Sequence, residues 1–400
     1  MKQKLTDLYA KNGTKKVLAS LLSILAGLLL GSIVVIIVGL AEQKITTAGM
    51  WEGVRLIFAG ILSTGRDAAG ALTWGFNAQN VGNMLFRAMP LIMTGLSVAV
   101  AFKTGLFNIG AAGQYTVGAY FALYSAIVMK LPWWACLLAA ALGGAIWGSI
   151  PGLFKAFLNV NEVITSIMFN WIGLYAVNTL IYQGGTGVMF NTNTTKTYTI
   201  KQASPGSLLP TFNVGIGGKD YFGAMFLPTI GIFIAVAVAV VVWVVLNKTT
   251  FGYELKACGH NKDAAKYAGI NDKKNIVLSM TIAGALAGLG AGLFYLSGSK
   301  EWEPLVSTAL PAVGFNGISV ALLASSNPVG CIFSALFIAH ITVGGGFMDA
   351  SVFPGEVSDI ISGVVIYLCA FSLLFKSGIL KFFTRKPKTV SPENGKEREA

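Results

Sequence analysis

Two uninterrupted stretches limit what this chain can become. Val17 to Ala41 runs for 25 residues, and Pro304 to Met348 for 45, without an Asp, Glu, Lys or Arg. About 20 predominantly apolar residues suffice for a helix to cross a bilayer. Charged residues make up only 12% of the 400, where a soluble domain carries roughly a quarter. The outer surface therefore faces lipid. In lipid a spanning segment must satisfy its own backbone groups, as helices do. The expectation is an all-α polytopic membrane protein with no soluble domain attached.

The remaining apolar runs set the count. Spans are expected at 17–40, 83–102, 110–129, 132–152, 162–182, 224–246, 276–296, 310–324, 329–347 and 357–375, about ten transmembrane helices in all. The 45-residue run divides at Ser325-Ser326-Asn327-Pro328, since proline sets a turn and restricts the residue before it. The first run exceeds the roughly 7–15 apolar residues of a signal peptide. Trp51 to Leu62 is amphipathic, too short to span, and expected at the membrane interface. Residues 183–223 form a long polar loop rich in Thr, Asn and Gly. The basic tail 376–400, like the basic segment 1–16, carries no apolar run, and the tail is expected to be disordered.

Charge gives the orientation. The segments 1–16, 103–112, 151–161, 248–275, 325–328 and 376–400 hold 20 of the 29 Lys and Arg residues. Basic residues concentrate on the cytoplasmic side, so both termini are expected there and the loop 183–223 outside. This distribution also accounts for the net charge of +12. No basic face interleaved with aromatics points to nucleic acid.

Several chemistries are absent from the residues. Cys136, Cys258, Cys331 and Cys369 are far apart, with only His260 and His340 to join them, so neither a disulfide framework nor a zinc site is expected. No cofactor is implied. Gly217-Gly218-Lys219 lacks the spacing of a phosphate-cradling loop. Arg87, Glu162 and Asp359 sit near the expected span ends, where a charge reaches the interface at little cost. Coupled transporters and intramembrane enzymes place carboxylates or metals at membrane depth, and the expected spans offer almost none. A transporter so built takes its energy from a partner.

Two segments carry the functional signal. Lys103-Thr104-Gly105-Leu106-Phe107-Asn108-Ile109-Gly110-Ala111-Ala112-Gly113-Gln114 puts a glycine-rich break between two spans. Broken backbone at membrane depth must face protein or a cavity. The second is the charged loop 248–275, between spans six and seven. A short helix over Tyr253–Cys258 is expected to end at Gly259. A second follows through Asp263, Ala264, Ala265 and Tyr267, with Asn261 as its N-cap and Gly269 as its stop.

With Asn161-Glu162-Val163-Ile164 and Gly314-Phe315-Asn316-Gly317-Ile318-Ser319-Val320-Ala321-Leu322-Leu323, these segments resemble the nucleoside and simple-sugar branch of bacterial ABC importer permeases, related to branched-chain amino-acid permeases. The resemblance runs from about Asn80 to Phe375. It implies a bacterial plasma-membrane permease with ATPase subunits, a second permease subunit, and an extracellular or periplasmic substrate-binding protein as partners. The coupling loop matching the family is 252–270, naming Gly252, Glu254, Gly259, His260, Asn261, Asp263, Ala264, Ala265, Tyr267 and Gly269. His260 stands where an acidic residue is common in the family. A path for a neutral ring-bearing solute wants aromatics and amides, supplied by Phe107, Asn108, Gln114, Asn170, Trp171, Phe315 and Asn316. Simple sugars suit the same chemistry. A membrane-embedded enzyme, an assembly factor and a secondary transporter are the competing classes.

The orientation is testable by single-cysteine labelling on a cysteine-free background. An impermeant reagent is expected to reach a cysteine at Asn193 and not one at Lys388, and the reverse pattern overturns the topology.

Overall fold

The structure is a computed structural model. It describes residues 47–346, apart from 69, 184–187, 212–214, 217–218, 221–229 and 307, with scattered positions at 28–40 and at 363, 364 and 367. The first and tenth expected spans therefore fall largely outside the described residues, as do both basic tails and Asp359.

The described chain is mainly helical. After α1 (Thr47–Ala59) come α2 (Ala78–Lys103), α3 (Ala111–Ile127), α4 (Trp133–Leu158) and α5 (Glu162–Tyr182). Then follow α6 (Gly231–Lys248), α7 (Thr250–His260), α8 (Lys262–Tyr267), α9 (Asp272–Tyr295), α10 (Ala312–Leu323) and α11 (Pro328–Gly345). Strands occur only as two-stranded hairpins among the described residues, such as Ser63–Arg66 with Leu72–Trp74 and Phe190–Asn191 with Lys196–Thr197.

Six of these helices, α2, α4, α5, α6, α9 and α11, are long and apolar enough to cross a membrane. The expected span 162–182 is α5 without change, because Asn161 caps it by accepting the Val163 N–H at 2.9 Å. Others begin earlier than hydropathy places them. α2 starts at Ala78, where the Asn77 side chain accepts from Gln79 and Asn80. The expected span 310–324 is a helix of only 12 residues. At 1.5 Å per residue it covers roughly 18 Å, against a hydrocarbon core of about 30 Å. The expected split before α11 is present: Ser325 and Ser326 take left-handed φ values of 51° and 55°. Asn327 then caps Pro328–Gly345. The stretch expected at the interface is tied into the fold: Leu56 and Ile57 of α1 are buried, and the His340 ring lies 3.1 Å from the Phe58 carbonyl oxygen.

Lipid supplies no hydrophobic force between helices, so association depends on close packing, which small residues permit. The packing of α4 against α9 shows this. Gly144, Gly148 and Gly152 of α4 face Met280, Gly284 and Gly288 of α9, and the backbones touch. Gly118 of α3 meets Gly288 from a third side. A Cβ on Gly288 would collide with the Ala140 carbonyl oxygen and come 3.0 Å from the Gly144 Cα. The large apolar side chains of α4 and α5 point outward instead, Leu138, Leu142, Ile146, Ile164 and Met168 among them. That leaves the seam small and the lipid face bulky.

Gly288→Val is expected to destabilise the protein by about 3 kcal/mol, near the upper end of ordinary overpacking. Gly206→Ala, where nothing lies within 4 Å of the added methyl, is the neutral control. Thermal unfolding in detergent reads both, and equal midpoints for the two variants would refute the seam.

Candidate functional site

The break between α2 and α3 organises the site. α2 ends in a Schellman motif: Gly105 donates to the Phe102 carbonyl at 3.2 Å and Leu106 to that of Ala101 at 3.0 Å. Gly105 provides the left-handed turn with φ of 73°, a conformation that costs a Cβ-bearing residue more. Leu106 packs beside Ala101, Ile276 and Met280. The Thr104 hydroxyl donates to Ser279 of α9 at 2.7 Å.

Past this turn the chain folds back along α2. Asn108 donates to the Ser97 hydroxyl at 3.0 Å, six residues up the helix from Lys103. That places the start of α3 roughly 9 Å inside the end of α2. The Asn108 and Gln114 amides pair reciprocally, at 2.9 and 3.1 Å. Both are buried. The sequence reading aims these amides at a cavity, but the structure turns them on each other. Their role in the described conformation is to close the loop that begins α3.

A first-turn N–H has no partner within its own helix, and here the missing acceptor comes from α5. Asn170 Oδ1 accepts the Gly113 N–H at 2.7 Å, while its Nδ2 donates to the Ile109 carbonyl at 3.0 Å. Gly113 has no side chain because its Cβ would lie 2.7 Å from the Asn170 Cα. Losing Asn170 would orphan the buried Gly113 N–H, at roughly 1–3 kcal/mol, and the half-buried Ile109 carbonyl.

α10 completes the cluster. Gly314 lies against Ala112 and Gly317 against Thr94. The Thr94 hydroxyl sits 2.9 Å from the Pro90 carbonyl oxygen one turn back, and 3.1 Å from that of Val313 on α10. The N-termini of α3 and α10 thus converge inside the bundle. Asn316 lies between the two glycines, half-buried. The buried Ser166 hydroxyl has no partner, and its Cβ is 3.2 Å from where a Cβ on Gly110 would be. Hydropathy gives no sign of Ser97, Thr94 or Ser166, which are small polar residues in apolar runs.

Not all the expected path residues meet. Asn108, Gln114 and Asn170 share one cluster, with Asn316 on the helix packed against it. Phe107 is stacked on Phe102 at 5.2 Å, nearly parallel. Trp171 is 40% exposed and stacks outward on Tyr175. Phe315, 38% exposed, also faces outward.

The loop 248–275 reaches the same break. α7 does not end at Gly259, as the sequence reading has it. It continues to His260, and the bend falls at Asn261, with φ −155° and ψ 108°. Gly259 does not adopt positive φ. Its Cβ would strike the Lys103 carbonyl oxygen and come 2.8 Å from the Gly105 nitrogen, so glycine is needed for close approach. Asn261 caps α8, accepting the Ala264 N–H at 3.0 Å. Gly269 stops it with φ of 80°. Both are as the sequence reads.

Glu254 and Cys258 of α7 meet Asn275 of α9, with Glu254 accepting at 3.2 Å. Burial pushes the Cys258 thiol pKa up. Gly252 abuts the Val245 carbonyl, closing the turn from α6. Between α7 and α8 lies an open groove of about 790 Å³, lined by Tyr253, Glu254, His260, Asn261, Ala264 and Ala265 among others. Tyr267 is 95% exposed beside it, and Asp263 lies in the first turn of α8.

Known proteins resemble this chain in sequence. The family described as branched-chain amino acid transport system, permease component, matches residues 80–370. The guanosine ABC transporter permease protein NupP of Bacillus subtilis (strain 168) is 33% identical over 377 residues, covering 91% of this chain and 96% of that protein. The nucleoside ABC transporter permease protein NupB of Lactococcus lactis subsp. cremoris (strain MG1363) is 32% identical over 393 residues, 96% of this chain and 99% of the relative. The glucose ABC transporter permease protein TsgB13 of Haloferax volcanii is 33% identical over 301 residues, 73% and 76% of the two chains. The matched segment takes in α2 through α11, and on that ground the chain belongs to the family of branched-chain amino acid transport system permease components, as a multi-pass membrane transport subunit of the ABC class.

Proposed function

We propose that this chain forms the translocation path for nucleosides in an ATP-driven importer of a bacterial plasma membrane. The observation that carries the reading is end-to-end likeness to two permeases named for guanosine and for nucleosides. Simple sugars are the second reading, favoured by the glucose permease relative over a shorter match. The partners are ATPase subunits, a second permease subunit and an external substrate-binding protein.

In this reading α7 and α8 dock the ATPase. The groove between them is exposed, and Tyr253 and Tyr267 are amphipathic anchors at its edge. Movement of α7 passes to the α2–α3 turn through Gly259 and Gly105. The converging starts of α3 and α10, with Asn170 and Asn316, line the path or gate it. With no fixed charge in that cluster, the solute is held weakly and released fast.

Two variants test the reading. Gly259→Trp is expected to reduce nucleoside uptake and ATPase co-purification to background while the chain still reaches the membrane; normal uptake would make the loop a connector only. Asn108→Leu leaves the Gln114 amide and the Ser97 hydroxyl short of a partner. It is expected to lower maximal uptake about tenfold, equivalent to ~1.4 kcal/mol, with little change in apparent affinity. Unchanged uptake of every nucleoside tried removes Asn108 and Gln114 from the path.

A further inference from the structure

At the membrane end opposite α7 and α8, the ends of α2, α9 and α11 enclose a cavity of about 400 Å³. Small-molecule sites run from roughly 300 to 1,000 Å³. Its wall includes Phe86, Arg87, Phe294, Lys300, Asn83 and Thr342.

Arg87, expected near a helix end, lies nine residues inside α2, roughly 13 Å along it. A cation within a spanning helix is costly unless it faces a partner or a wet cavity, and marks a functional site by default. Arg87 is exposed to this cavity. Among the described residues neither Arg87 nor Lys300 has a carboxylate within ion-pair distance. No described lining residue is acidic. In the same wall Phe86 and Phe294 stack at 5.1 Å and 26°. The cavity therefore offers an aromatic surface, a rigid two-pronged donor, a mobile cation, and neutral groups from Asn83 and Thr342.

A guanidinium fork bonds two adjacent acceptors in one plane. A 6-oxopurine presents such a pair at O6 and N7, the edge that arginine reads in guanine; adenine presents N7 beside an amino donor. Aromatic side chains stack on any base without distinguishing it. Resting on the nucleoside reading above, we propose that this cavity is a recognition site for 6-oxopurine nucleosides. Arg87 bonds the O6/N7 edge and the Phe86–Phe294 pair takes the face of the base. Lys300, Asn83 and Thr342 meet the hydroxyls of the ribose. Arg87 then determines specificity, while the phenylalanines serve every nucleoside alike.

Initial uptake of radiolabelled guanosine, inosine and adenosine tests this, in cells stripped of their own nucleoside uptake and carrying the complete importer. Immunoblots of the membrane fraction normalise for chain level. Arg87→Gln is expected to lower guanosine and inosine uptake about tenfold, the lower range for one bidentate pair, and adenosine uptake far less. Arg87→Lys keeps the charge but loses the fork, so it is expected to stay closer to Arg87→Gln than to wild type. Phe294→Leu is expected to lower all three together. Equal loss of all three in Arg87→Gln, with full recovery in Arg87→Lys, would overturn the proposal in favour of a charge contact to an acidic partner. Unchanged ratios in every variant, with robust wild-type uptake, overturn it alone. A wild type that takes up none of the three defeats the nucleoside reading itself.

Discussion

The described structure rests on backbone touching backbone along the seam of α4 and α9. Gly144, Gly148, Gly284 and Gly288 carry no side chains there, so main-chain atoms meet directly. In water such a seam would gain little over packed leucines. In lipid, leucine on leucine replaces one apolar contact by another, and close approach is what remains to distinguish bound helices from separate ones. The seam fixes α9, and α9 in turn holds Ser279 against Thr104 and Asn275 against Glu254. The candidate site and the loop beside it both hang from that one helix.

The same device recurs wherever the chain must do something irregular. Gly113 lets Asn170 reach an orphaned N–H, Gly314 lets α10 meet the start of α3, and Gly259 lets α7 lie on the α2–α3 turn. Each position trades side-chain packing for proximity. Polar side chains then supply the specific bonds that tie the approached elements together, Asn170 to Gly113 and Thr94 to Val313. Breaks in helices at membrane depth are tolerated because these bonds replace the missing ladder.

How much of this could be read from residues alone depended on the kind of interaction. Span α5 and the turn at Ser325–Pro328 were legible, because a cap and a proline are local signals. So were the caps of α8, Asn261 and Gly269. The length of α10 was not, since hydropathy measures composition and not where the first turn of a helix starts. The need for Gly259 is legible but its reason is not: a glycine after a short helical stretch reads as a stop, and only the contact with Lys103 and Gly105 reveals a helix residue kept bare. Asn108 and Gln114 lie at the break, as their sequence position requires, but they bond each other where the residues alone suggest a cavity. Their reciprocal pairing depends on the chain folding back by six residues, which no periodicity records. Arg87 lies deeper in its helix than hydropathy places it, because α2 begins five residues before the expected span.

The contact between Gly259 and Gly105 has a mechanical consequence. Side chains that link two moving elements can rotate to new rotamers and absorb a displacement before passing it on. Here neither partner has a rotamer to change. A shift of α7 by a few tenths of an ångström meets main chain at once, and the turn after α2 must follow or the two surfaces must part. The joint has no lost motion. It is stiff in compression, silent in tension, and indifferent to the side-chain disorder that temperature brings.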